Sequence, residues 1–118
     1  IRVAESAAPL SEAELDALAQ IREKCRKLSD LYCTGCGYCR PECPCEINIP
    51  VALEALIYYK VYQFRQHAFN RYKQIGTSPW TTGKTAGHCV QCGKCESKCP
   101  QKLPIREYLR EAKEIFES

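Results

Sequence analysis

The sequence predicts an all-α fold gathered around two cysteine-rich runs, and three observations predict it. The runs are copies of one another at an offset of 56 residues. The 45 residues between Cys43 and Cys89 read mostly as helix. At 118 residues the apolar core is thin, so a metal or covalent staple is expected, and ten cysteines supply the candidates.

In chain order, residues 1–30 read as a linker and a capped helix, and residues 31–118 as the cysteine-bearing domain. "LSEAELDALAQIREKCRKL" carries a capping box, Ser11 with Glu14, and a Leu10–Leu15 staple. Leu15, Leu18, Arg22, Cys25 and Leu28 recur at helical spacing, so Cys25 is expected to be a small buried residue on that face. In "CTGCGYCRPECPCEINIP", residues 33–50, Pro50 suits a first helical position. From there one helix is expected to run to Gly76, with Leu53, Leu56, Ile57, Val61, Phe64, Ala68, Tyr72 and Ile75 as its stripe and Tyr58, Tyr59 and Tyr62 in packing roles. "GTSPWTTGK" reads as a loop anchored by Trp80. After the second run Pro104 opens a last helix, with Ile105, Tyr108, Leu109, Ala112 and Ile115 inward.

The overlay of the runs carries the chemistry. Cys33, Cys36, Cys39 and Cys43 fall on Cys89, Cys92, Cys95 and Cys99, Gly37 on Gly93, and Pro44 on Pro100. Both copies read C-x2-C-x2-C-x3-C-P, the ligand spacing of two-cluster ferredoxins, in which three cysteines hold one cubane and the fourth reaches to the other. The expected cofactors are therefore two [4Fe-4S] clusters, on Cys33, Cys36, Cys39 with Cys99, and on Cys89, Cys92, Cys95 with Cys43. Zinc on C-x2-C pairs and a disulfide framework are the alternatives; zinc leaves the third cysteine and the proline unexplained. Cys45 falls on Gln101, so it reads as the surplus thiol, with ligation by Cys45 in place of Cys43 as the alternative, and His67 and His88 read as non-ligands because eight cysteines fill both sets.

Composition excludes several classes. The longest apolar stretch, "VALEALIYY", is nine residues and contains Glu54, short of the roughly 20 residues a membrane span needs. The N-terminus shows no signal-peptide pattern, and a cytoplasmic location is expected. The formal charge is +3, with +7 concentrated in residues 60–102. Eight thiolates on two cubanes offset that excess, so nucleic acid is not an expected partner. The sequence contains no methionine, from which a piece of a longer protein, or a split subunit, is expected.

The long helical spacer resembles the α-helical ferredoxin modules of succinate dehydrogenase iron–sulfur subunits, heterodisulfide reductases and dihydropyrimidine dehydrogenases. Taken with "AGHCVQCGKCESKCPQKLPI" and the closing "EIFES", the chain is similar to the C-terminal cluster domain of the iron–sulfur aldo/keto reductases. That resemblance implies an α-helical ferredoxin-like domain wrapped around its clusters. It also implies electron transfer to a partner barrel domain or catalytic subunit, or to an external redox partner. A structural role, stapling or dimerising such a barrel, is the rival. No catalytic set can be assigned within these 118 residues.

Overall fold

A computed structural model describes residues 7–28 and 32–118. Its contacts divide the chain into two units, Ile1–Asp30 and Leu31–Ser118. In the first, α1 spans Glu12–Leu28. Its capping box is reciprocal: the Ser11 N–H donates to Glu14 Oε2 at 2.9 Å, and the Glu14 N–H to Ser11 Oγ at 3.3 Å. Leu15, Leu18 and Ile21 are about half exposed, and Cys25 is exposed rather than buried. Helical spacing puts these residues on one face, but the unit offers no second described element to cover it.

The second unit contains α2 (Ile49–Lys60), α3 (Arg65–Lys73), a 3-10 turn (Ala86–His88), α4 (Lys94–Lys98) and α5 (Ile105–Phe116). Its centre is a duplicated structure. Both α2 and α5 have 12 residues, and the 56-residue offset carries one onto the other end for end. Their preceding residues, Asn48 and Pro104, share nearly the same backbone angles, φ −80°, ψ 74° and φ −76°, ψ 71°. Because helix packing follows these repeated registers, α2 packs on α5, and Ile47, Ile49, Leu53, Leu56 are buried together with Leu103, Ile105, Leu109 and Ala112. A Lys60–Glu111 ion pair at 2.9 Å joins the two helices at the surface.

The expected single helix over residues 50–76 is two. Val61 and Tyr62 both donate to the Ile57 carbonyl, Gln63 takes a left-handed φ of 57°, and the Phe64 N–H donates to the Tyr58 carbonyl at 2.9 Å. The chain turns there, and α3 folds back to pack on α2. Phe64 is left exposed, stacked near Tyr62 with ring centroids 6.2 Å apart. Ala68, Tyr72 and Ile75 are buried. Trp80 is 93% exposed and anchors nothing; the loop is fastened by Thr81, whose carbonyl accepts from the Gly76 N–H at 2.8 Å. Residues 82–84 then run beside 46–48 in a short parallel bridge, with Asn48 Nδ2 donating to the Thr82 carbonyl at 2.6 Å and Asn48 Oδ1 accepting from the Val51 N–H.

The end of the chain is tied to the 3-10 turn. Tyr72 O–H donates to Glu117 Oε1 at 2.5 Å and accepts from the Ala86 N–H at 2.8 Å, while the Gly87 N–H donates to the same carboxylate at 2.9 Å. A side chain at Gly87 would collide with Glu117 Oε2, so glycine is what lets the carboxylate approach. The Phe116 ring stacks on Tyr72 at 4.7 Å and meets Phe69 edge-on. Burial pushes the Tyr72 hydroxyl up, reinforced by its bond to Glu117. Burial works to raise the Glu117 carboxyl too, but the bonds from Tyr72 and Gly87 outweigh it and hold the group below its ordinary value.

A depressed carboxyl stabilises the fold above its unfolded value, near pH 4.3, and that stabilisation is lost as pH falls through the folded value. Glu117→Gln is therefore expected to lower stability by about 1 kcal/mol at pH 7, the low end for a charged hydrogen bond because the group faces solvent. The difference between variant and parent should vanish toward pH 3, measured as urea midpoints across pH 3–7; a difference that persists at pH 3 would assign the loss to packing.

Candidate functional site

The two cysteine runs fold alike in backbone detail. Gly35 and Gln91 have φ of 72° and 58°, Gly37 and Gly93 of 79° and 77°, Glu46 and Lys102 of 55° and 56°. The turn bonds repeat as well: Arg40 to Gly37, Cys43 to Arg40 and Glu46 to Cys43 in the first run answer Glu96 to Gly93, Cys99 to Glu96 and Lys102 to Cys99 in the second. Residue i+2 donates its backbone N–H to the leading sulfur in both, Gly35 to Cys33 Sγ and Gln91 to Cys89 Sγ, each at 3.4 Å. Burial follows the same order, since Cys36 and Cys92 are exposed, Cys39 and Cys95 buried, and the outer four intermediate.

Packing of α2 on α5 sets these runs against one another. One pocket is lined by Cys33, Cys36 and Cys39 together with Cys99, over a floor of Leu53, Leu103 and Ile105. A second is lined by Cys89, Cys92 and Cys95 together with Cys43, over Leu109, Ile47 and Ile49. All eleven residues of the first have their offset partners in the second; Arg106 is added there. Cys45 lines the second pocket where Gln101 lines the first. Cys25 lies in the other unit. His67 meets the Tyr58 ring edge-on at 4.6 Å, and His88 Nδ1 lies 3.3 Å from Thr85 Oγ1.

Burial pushes the Cys39 thiol up to about 11, with Cys33 adding to it. Cys95 is likewise raised to about 11 by burial, with the Glu96 carboxylate adding to it. Burial also raises Cys33. At neutral pH these sulfurs carry their protons.

Among the described residues, no three Cys, His, Asp or Glu side chains are grouped so as to hold a metal ion. The structure therefore does not contain the expected fold wrapped around two [4Fe-4S] clusters, and electron transfer through such clusters, with the iron–sulfur oxidoreductase role attached to it, has no assembled site here. The ten cysteines are free thiols.

A family model described as a 4Fe-4S dicluster domain matches residues 29–103. The chain belongs to that family. Its donors fit the dicluster family's group in kind and number, four thiols to each pocket, but their arrangement does not gather them around an ion. The chain is 25% identical over 116 residues to the acetyl-CoA decarbonylase/synthase complex subunit alpha 1 of Methanosarcina mazei, covering 95% of this chain and 12% of that protein. No solved structure matches. The resemblance to an aldo/keto reductase cluster domain is corrected with the site on which it depended.

Three residues that matter to the pockets escaped the sequence reading. Arg106 and Gln91 stand at the overlay's mismatches with Pro50 and Gly35, which is the signal that could have found them. Glu96 stands at a mismatch of opposite charge with Arg40; burial works to raise its carboxyl, but the Arg106 N–H and guanidinium hold it below its ordinary value.

The paired left-handed turns give a matched test. Gly37→Ala and Gly93→Ala are each expected to destabilise the chain by about 1–2 kcal/mol, the cost of a Cβ at positive φ. Chemical denaturation should give the two losses within a few tenths of a kcal/mol of each other. A neutral effect at either position would show that its turn is not held as described.

Proposed function

We propose that Cys33, Cys36, Cys39 with Cys99, and Cys89, Cys92, Cys95 with Cys43, are two crossed sets of thiols, each acting as one unit in its pocket. Residues 31–118 form the thiol-bearing domain and residues 1–30 a linker and capped helix. The observation that carries this reading is the correspondence of the two pockets, eleven lining positions related by one offset, with three sulfurs from one run and the fourth from the other.

The chain is read as a module that serves a catalytic domain or subunit of a larger protein. Support comes from the relative, a subunit of a complex, of which the chain spans only 12%. No helix of the described residues is long and apolar enough to cross a membrane. Ten free cysteines suit the reducing cytoplasm. Nucleic acid is no part of the proposal, because the basic residues flank the thiols.

Limited oxidation of the reduced full chain with diamide tests the sets, read by peptide mass spectrometry as which cysteines pair. Disulfides from Cys99 to Cys33, Cys36 or Cys39 and from Cys43 to Cys89, Cys92 or Cys95 should form, and Cys99→Ser should remove the first kind while leaving the second. An absence of crossed pairs in the parent chain, or crossing through Cys45 in place of Cys43, would overturn the assignment.

A further inference from the structure

Leu15, Leu18 and Ile21 follow one another at three-residue steps along α1, and they are 52%, 47% and 55% exposed. On α5 the residues of a comparable stripe, Ile105, Tyr108, Leu109 and Ala112, are all buried. A helix of 17 residues owes most of its stability in water to the packing of such a face, and a capping box adds only about 1 kcal/mol. The face of α1 therefore calls for a covering surface, and its own sequence says which.

That face is symmetric about Leu18. Leu15 and Ile21 stand three residues to either side of it, and Glu14 and Arg22 four residues to either side. Both spacings keep these side chains on the face of Leu18. When two copies of α1 cross antiparallel with their i, i+4 rows aligned, Leu18 meets its copy. Glu14 of each then lies beside Arg22 of the other, and Leu15 and Ile21 cover the flanks of the contact. A parallel copy would set Glu14 on Glu14 and Arg22 on Arg22, which like charge opposes. Glu14 keeps its capping bond in the antiparallel pairing, because Oε2 accepts from the Ser11 N–H at 2.9 Å and a carboxylate has two oxygens. The other charges of α1 lie off the row. Helical spacing turns Glu12, Asp16, Glu23 and Lys27 toward the opposite side and leaves Lys24 and Arg26 at the flanks, with Arg26 paired to Glu23 at 3.4 Å.

We infer that α1 is a docking surface for a second copy of this chain, crossed antiparallel at Leu18 and oriented by reciprocal Glu14–Arg22 pairs. The inference makes no use of the thiol sets. Apolar burial supplies the attraction and charge selects the orientation, since exposed ion pairs add little to affinity. One helix face from each copy is a small interface, which puts the association at the weak end of specific ones.

The test is sedimentation equilibrium of the full chain, kept reduced so that Cys25 and the other thiols do not join copies covalently. A reversible monomer–dimer equilibrium should be evident by about 1 mM. Leu18→Glu should weaken it by at least about tenfold. Arg22→Glu sets two carboxylates together at each end of the contact and should weaken it about fivefold, and adding Glu14→Lys should recover most of that loss. Glu14→Lys also forfeits the capping bond, so the recovery cannot come from a firmer helix. A monomer at every concentration overturns the inference and leaves the face to a different protein. A dimer indifferent to Leu18→Glu, or one that the double variant does not recover, overturns it by assigning the association to another surface or another orientation.

Discussion

The packing of α2 against α5 is the constraint on which the rest of the second unit depends. Each cysteine run leads through the same turns into a helix of the same length, so the position of a run is fixed relative to its helix. Once Ile49, Leu53 and Leu56 are buried against Ile105, Leu109 and Ala112, the start of each run faces the end of the other. Apolar burial at the helix pair, worth about 1.5–3 kcal/mol for each large side chain, therefore decides which sulfurs share a pocket. Leu53, Leu103 and Ile105 floor one pocket, and Leu109, Ile47 and Ile49 the other, so the same atoms serve as core and as lining.

That dual use explains the state of the thiols. A floor of leucine and isoleucine cannot solvate a charge, and it keeps Cys39 and Cys95 protonated. Sulfurs so held line their pockets without converging on a point. The family to which the chain belongs is named for a metal group, and the structure separates two requirements that spacing alone had merged: the supply of donors, which the fold meets, and their convergence, which it does not.

Legibility in the sequence followed the physical origin of each feature. The duplicated turns were readable because Gly37 and Gly93 mark a left-handed backbone directly, and the buried face of α5 because Ile105, Tyr108, Leu109 and Ala112 keep a helical period. The break between α2 and α3 was not, since Gln63 adopts its positive φ under tertiary control and no residue type announces it. Glu46, Gln91 and Lys102 hide their turns in the same way, although Gly35 discloses the one at Gln91 through the repeat. Cys25 and Trp80 were misplaced because periodicity and size say which residues could be covered, whereas burial needs a second element to do the covering. Convergence of the sulfurs is likewise a matter of charge and distance that a spacing pattern does not carry.

Crossing has one more consequence. Neither run owns a complete set of four sulfurs, so the halves of the unit are hostages to each other. Any motion that slides α2 past α5 dismantles both pockets in the same event, and neither can be lost while its twin survives intact. The arrangement works as a clasp with a single catch: the integrity of both sites is reported by one helix–helix seam, closed at its surface by the Lys60–Glu111 pair.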